Sequence, residues 1–279
     1  MDLSQKKGRT VFMIVWGALI VLIIAAIIAI GLPSGKSETI KEAMKDGVLH
    51  EENKVSFFGL LVNPAVVSAY VITGVLLLCA ALIRIFAVPR FKDVPGKFQS
   101  VLEKLVEFFE DMARGNSPHK TPVVAAYIFS AGVYIFFSTL FELFGIQVIA
   151  ENGHSIALPA PLSDINAAIA MGFLSYLFIL LAGIIVNGVK GGLRVLKDFS
   201  LPISMSFRIF GALLSGLLVT ELVYYYTALS FVVPVIVGVL FTILHAVIQT
   251  YVLATLVSVF YGEAVEPVQS KKDKKQRKE

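Results

Sequence analysis

One apolar stretch, Leu201–Tyr225, is long enough to cross a bilayer and contains a single arginine, Arg208. A guanidinium stays charged, and placing one at the centre of a membrane helix costs about 2.5–3.5 kcal/mol on insertion scales. Its presence indicates either a working partner within the membrane or a side chain that bends to the interface, about seven residues away at the predicted cytoplasmic end. The stretch alone leaves both interpretations open.

Composition and further apolar runs define the class of protein that contains this stretch. Of the 279 residues, 57% are hydrophobic and only 16% are charged, and the mean hydropathy is +0.81. These values exclude a soluble domain with one buried core, and the lone cysteine, Cys79, excludes an internal disulfide. The runs predict an all-α, polytopic membrane protein of about six transmembrane helices, at Val11–Ile30, Ala65–Val88, Val123–Ile149, Ile165–Val189, Leu201–Leu229 and Phe231–Tyr261.

Basic residues are distributed unevenly among the segments that connect these spans. If both termini are cytoplasmic, 19 Lys and Arg residues lie on the cytoplasmic side and 4 on the external side. The loop 151–165 has neither Lys nor Arg, so it is predicted to be external. The tail KKDKKQRK is a solvated polybasic end suited to anionic lipid. The positive-inside rule therefore favours two cytoplasmic termini.

The segment Pro95–Gly115 has a different pattern, with apolar residues at helical spacing on one face and charged residues opposite. This amphipathic pattern predicts a helix that lies in the plane of the membrane interface. A helix on the soluble side that packs on a partner is the alternative.

Several polar residues lie within the predicted spans, where ionisable groups usually face a bundle interior or a water-filled cavity. Glu142 lies near the outer end of the third span, and Glu221 lies in the fifth. His245 and Gln249 are four residues apart, so they share one face of the last helix. Small residues beyond Arg208 would let a neighbouring helix approach closely, and these are Gly211, Ala212, Ser215 and Gly216.

Four sequence stretches together resemble one family, subunit a of the F-type ATP synthase, the membrane stator beside a ring of c subunits. SMSFRIFGALLSG at 204–216 is similar to the family's arginine helix, and HAVIQTYVLATLVSVFYGEA at 245–264 is similar to its last helix. PLSDINAAIAMG at 161–172 and PGKFQSVLEKLVEFF from Pro95 also resemble family elements. The resemblance divides the chain into an additional N-terminal part (1–64), a subunit a-like membrane domain (65–265) and a cytoplasmic polybasic tail (266–279).

The resemblance implies a mechanism in which ions cross through two half-channels to and from carboxylates on the c ring. Arg208 would separate the half-channels and Gln249 would hold its guanidinium, while Glu142, Glu221 and His245 would form the external path. The small residues Gly211, Ala212, Ser215 and Gly216 would contact the c ring. The implied partners are the c ring, the b subunits of the peripheral stalk and lipid in a bacterial plasma membrane. No cofactor, metal, nucleic acid or catalytic activity of the chain itself is expected.

The sequence departs from the family pattern at several positions. The first span and its charged connector have no counterpart in a five-span pattern, and Glu142 replaces an asparagine. The expected acid falls on Leu217 and the expected ionisable partner on Thr242. If Arg208 and Gln249 are level, helical rise places Glu221 and His245 about 14 Å apart along the axis.

Two other functional classes remain open at this stage. In a secondary ion-coupled transporter, Arg208 would bind an anionic substrate, and internal repeats would be expected. In a non-transporting assembly subunit, Arg208 would reach the interface. The absence of GxxxxGK[ST] and HExxH motifs gives no support to a nucleotidase or a zinc protease.

Overall fold

The computed structural model of the chain describes residues 55–57, 60–118, 121–149, 155–225 and 233–267. The predicted first span, Val11–Ile30, most of the connector after it and the polybasic tail lie outside the described residues. The additional N-terminal helix and the cytoplasmic position of both termini therefore stay predictions.

Six α-helices and two short β-hairpins make up most of the described residues. The helices are α1 (Pro64–Leu82), α2 (Lys97–Asn116), α3 (Thr121–Leu140), α4 (Ile165–Lys197), α5 (Ser200–Tyr225) and α6 (Val233–Val265). The antiparallel strand pairs are β1 (Val55–Phe57) with β2 (Leu60–Val62), and β3 (Gln147–Ile149) with β4 (Ser155–Ala157). Neither hairpin was predicted, because strands of three residues are too short to show an alternating pattern.

The membrane-spanning character of the fold follows from the length and composition of its helices. Four helical segments of the described residues are long and apolar enough to cross a membrane: Pro64–Arg90, Thr121–Phe144, Ile165–Lys197 and Val235–Val265. The prediction of an all-α, polytopic membrane protein is therefore confirmed. Helix α5 is not among the four segments, so the count of six spans stays a prediction.

Helices α1 and α4 begin side by side at one face of the membrane. The Asn63 side chain caps α1 by accepting from the backbone N–H of Ala65 at 3.0 Å. Asp164 caps α4 by accepting from the N–H of Asn166 at 2.6 Å. The Asn63 amide also donates to Asp164 Oδ2 at 2.7 Å, so the two capping side chains are hydrogen-bonded to each other. We refer to this face as the outer face, following the charge-based prediction.

Helix α2 has the predicted amphipathic character and packs against α3 and α6. Its buried face includes Gln99, Phe109 and Ala113. Near its C-terminus, the carbonyl of Met112 accepts a hydrogen bond from Ser258 Oγ on α6 at 3.1 Å. The packing shows which face of α2 binds the bundle; the in-plane orientation stays a prediction.

Helix α3 is shorter than the predicted third span, which extended to Ile149. The α-helix ends at Leu140, and a 3-10 turn, Phe141–Phe144, carries the chain to Gly145. Gly145 has a φ of 57°, in the left-handed region that ends many helices. The chain then enters strand β3. The predicted boundary was wrong because these apolar residues belong to a hairpin.

Helix α4 contains a sharp break at Gly188, where φ is 61° and ψ is −154°. After the break the chain folds back along the preceding turns, so that the Tyr176 hydroxyl donates to the carbonyl of Val195 at 3.4 Å. The predicted end of this span, Val189, lies next to the break. The basic residues Lys190, Arg194 and Lys197 are therefore on the returning segment.

Candidate functional site

The two faces of α5 differ in exposure around Arg208. Met205, Ile209 and Leu213 are buried at successive four-residue intervals and pack within the helical core. Arg208 is exposed on the other side of the helix, together with Gly211 and Ser215. Of the four small residues, Gly211 and Ser215 therefore share the exposed face of Arg208, whereas Ala212 is half-buried.

A hydrogen bond from α6 fixes the main chain of α5 at Arg208. Gln249 is 3% exposed, and its Nε2 donates to the backbone carbonyl of Arg208 at 2.9 Å. The family resemblance implied a bond from Gln249 to the guanidinium, whereas the observed bond is to the main chain. Among the residues that the structure describes, no hydrogen bond or ion pair to the Arg208 side chain is found.

The height of Arg208 in the helix bundle can be read from Thr250, the residue that follows Gln249. Thr250 Oγ1 donates to the carbonyl of Gly132 at 3.3 Å, and Gly132 lies near the middle of α3. At 1.5 Å per residue, Gly132 is about 16 Å from Thr121, where α3 begins. The Arg208 backbone is therefore near mid-height, farther from the inner end of the bundle than the sequence alone suggested. This depth favours a working partner over a side chain that reaches the inner interface.

His245 packs directly on the backbone of α5 at Gly216. A Cβ atom added to Gly216 would lie 3.2 Å from His245 Nδ1 and 3.3 Å from Cε1. The imidazole also lies against the ring of Phe241, with 5.8 Å between ring centroids. Gly216, expected only as a surface for a neighbouring subunit, is thus a contact of His245 within this chain.

The contact between Gly216 and His245 relates the imidazole to the position of Glu221 on α5. Glu221 lies five residues beyond Gly216, so its backbone is about 7.5 Å farther along α5. Helical rise counted from Arg208 and Gln249 gave about 14 Å along the axis between the backbones of Glu221 and His245, whereas the His245 ring itself reaches Gly216. The side chain of Glu221 lies outside the part of the chain that can be described.

Glu142 lies at the outer end of the same bundle, in the turn Phe141–Phe144. The Glu142 side chain is exposed, and its turn contacts α6. The bond between Thr250 and Gly132 sets the antiparallel register of α3 and α6. Counted outward from that bond, Glu142 is ten residues beyond Gly132, and His245 is five residues before Thr250 on α6. Glu142 therefore lies about 7.5 Å farther out than His245.

Two residues near this site were missed by the sequence analysis. Thr250 sets the register, and Ser138, four residues before Glu142, is fully buried beside the Tyr134 hydroxyl. A hydroxyl residue in an apolar helix is a weak signal, because serine and threonine usually bond to their own helix. Within the described residues, no group of three or more His, Cys, Asp or Glu side chains could hold a metal ion.

A comparison with known families finds a match that spans these helices. A family model described as "ATP synthase A chain" matches residues 67–262. The match covers well over half of the chain and includes Arg208, His245 and Gln249 as well as the turn that carries Glu142. The apolar helices make the chain a multi-pass membrane protein, and the family match places it in the Fo sector. The chain therefore belongs to the ATP synthase A chain family.

Proposed function

We propose that this chain is the ion-conducting stator subunit of a rotary ATP synthase. Two half-channels carry H⁺ or Na⁺ to and from carboxylates on a ring of c subunits. The observation that carries the proposal is the state of Arg208, whose main chain is fixed by Gln249 while its side chain is exposed at mid-height. The chain itself makes or breaks no covalent bond.

The charge of Arg208 supplies the separation between the half-channels. A nearby cation favours the ionised form of a carboxylate, so each passing c subunit releases its ion before it crosses the arginine. The same charge repels a cation that would otherwise leak directly across the membrane. An unpaired charge in hydrocarbon is costly, and a c-ring carboxylate would provide the missing anion.

The exposed face around Arg208 suits a close neighbour. Gly211 has no heavy atom within 4 Å of an added Cβ position, and Ser215 turns its hydroxyl back to the Ala212 carbonyl at 2.8 Å. Small residues with satisfied polar groups allow two membrane helices to approach closely. This surface is the proposed contact with the c ring.

The external path is assigned to Glu142, His245 and Glu221. Support comes from the contact of the Glu142 turn with α6 and from the packing of His245 on Gly216. By analogy with the family, the chain also binds the b subunits of a peripheral stalk. It lies in a bacterial plasma membrane with both termini on the cytoplasmic side.

The test is ion-driven ATP synthesis in vesicles that contain the assembled complex. Arg208→Gln should insert and assemble but abolish coupled synthesis, because neutralisation removes the electrostatic barrier. Arg208→Lys should also fail, since a lysine can lose its proton when desolvated and lacks the planar fork.

The matched control is Arg114→Gln. Arg114 is an exposed arginine that pairs with Glu110 on its own helix at 2.7 Å, and such pairs contribute only about 0.3–0.5 kcal/mol. This variant should synthesise ATP as the unmodified complex does. Normal coupled synthesis by assembled Arg208→Gln would refute the proposed role of the arginine.

A further inference from the structure

The returning segment of α4 (residues 189–197), which follows the break at Gly188, has one face packed closely on the rest of the protein. Gly191, Gly192 and Val195 are buried. A Cβ atom added to Gly192 would lie 2.7 Å from Ile184 Cγ1, and one added to Gly191 would overlap the carbonyl of the residue eight positions earlier. This face is therefore fixed against the preceding turns of α4.

The arginine of the returning segment is bound to the end of α6. Arg194 Nη1 donates to the carbonyls of Glu263 at 3.0 Å and Glu266 at 3.5 Å. Asn187, just before the break, donates to the carbonyls of Ala264 at 2.8 Å and Glu266 at 2.9 Å. The last carbonyls of a helix have no partner within their own helix, and a cation beside them is favourable. These bonds hold the segment in place and commit its arginine to the protein.

The outward side of the returning segment presents an apolar sector next to a cationic one. Val189, Leu193 and Leu196 are 77%, 54% and 51% exposed, and helical spacing places them within about 60° of one another. Lys190 and Lys197 are exposed and lie about 80° farther round the helix. Within the described part of the chain, no carboxylate lies within ion-pair distance of either lysine.

The length of α4 places this segment at the inner edge of the membrane. From Ile165, where α4 begins at the outer face, to Gly188 the helical rise is about 35 Å. The hydrocarbon core of a bilayer is about 30 Å thick. The break therefore falls among the inner headgroups, and the segment that returns from it runs along the interface. At this depth an amphipathic helix meets acyl chains on one side and phosphates on the other.

We propose that the returning segment is an interfacial binding site for anionic phospholipid. Val189, Leu193 and Leu196 contact acyl chains, and the ammonium groups of Lys190 and Lys197 bind headgroup phosphates. Charge complementarity selects the lipid class, because each lysine near an anionic surface raises the association constant about fivefold, whereas a zwitterionic lipid has no net charge to match. This site does not rest on the proposed function.

The first experiment measures which lipid lies against the segment. The full chain, in nanodiscs of phosphatidylcholine, carries Leu193→Trp in a Trp16→Phe background, since Trp16 is its one tryptophan. Fluorescence quenching is compared for equal small fractions of brominated phosphatidylglycerol and brominated phosphatidylcholine. The anionic lipid should associate at least about fivefold more tightly, and its advantage should shrink as salt is added. Lys190→Gln/Lys197→Gln should remove the advantage, and both side chains are exposed, so packing is unchanged.

Two controls separate this site from the bulk membrane and from net charge. Val75→Trp on α1 is exposed and about 16 Å from the start of its helix, so both brominated lipids should quench it equally. Lys97→Gln/Lys104→Gln removes the same charge from α2 and should leave the preference at Leu193→Trp intact. Equal quenching of Leu193→Trp by both lipids would overturn the proposal, as would an unchanged preference in Lys190→Gln/Lys197→Gln.

The second experiment asks whether lipid still covers the segment in the assembled complex. A photo-crosslinking benzoyl-phenylalanine replaces Leu193, with Val75 replaced in the same way as the lipid-facing control. Illumination should give a phospholipid adduct at both positions. An adduct between position 193 and another protein chain would overturn the proposal by showing that a subunit covers this face. A phospholipid adduct at position 75 alone would also overturn it, because the segment would then face water.

Discussion

Gly216 should control the position of His245, and enlarging this residue gives a graded test of the external path. The Cβ of Gly216→Ala would lie 3.2 Å from Nδ1 and 3.3 Å from Cε1 of His245, whereas carbon contacts are optimal at about 3.5–4.0 Å. The imidazole must then move by a few tenths of an ångström. Gly216→Val adds two further methyl groups to this Cβ, and overpacking of this kind costs about 1–3 kcal/mol.

These costs convert into expected changes of ion flux. If His245 must occupy its observed position for transfer, about 1–3 kcal/mol corresponds to about a 5- to 150-fold loss for Gly216→Val. The loss of ion flux in Gly216→Ala should be severalfold smaller than that in Gly216→Val. The assay is ion uptake from the outer side by vesicles with equal amounts of assembled complex. The control is Gly74→Ala on α1, where no heavy atom lies within 4 Å of an added Cβ.

A double-mutant cycle identifies the cause of the loss. If Gly216→Val acts by displacing the imidazole, it should have little additional effect in a His245→Ala background. Fully additive losses would mean that the valine acts elsewhere, for example on the proposed c-ring surface. Flux of Gly216→Val equal to that of Gly74→Ala would refute the reasoning altogether.

Two further predictions concern the outer end of the bundle and the orientation of the chain. Glu142→Gln should slow ion translocation from the outer side while assembly stays normal, whereas an interfacial glutamate would tolerate the change; unchanged flux would remove Glu142 from the path. Tags on both termini should be accessible only from the cytoplasmic side, as the bias of 19 to 4 basic residues requires. A protease-accessible N-terminus on the outside would contradict that topology.

Apolar runs identified the helices well, since hydrocarbon forces backbone groups to bond within a helix. The predicted fifth span began at Leu201 and α5 begins at Ser200; the predicted sixth began at Phe231 and α6 begins at Val233. Boundaries failed where apolar residues were not helical, as at Ile149 in strand β3. Composition cannot separate an apolar hairpin from the end of an apolar helix.

The sequence supplied candidate residues for the site, but it did not supply their geometry. Arginine and glutamine in apolar helices are rare enough to identify Arg208 and Gln249 as functional candidates. The atom of Arg208 that Gln249 contacts depends on how α5 and α6 approach each other, and residue spacing does not determine it. The contact between Gly216 and His245 likewise depends on how the two helices cross.

The bond from Gln249 to the Arg208 carbonyl changes the physical account of the arginine. A glutamine that held the guanidinium would compete with an incoming carboxylate for the same donors. A glutamine that holds the main chain fixes the position of α5, and within the described residues it leaves the five guanidinium N–H donors unbonded. Under the proposed function, Arg208 must attract each c-ring carboxylate and then release it within one step of rotation. A fixed backbone with an uncommitted side chain meets both requirements, because the charge stays at one depth while its hydrogen bonds form and break.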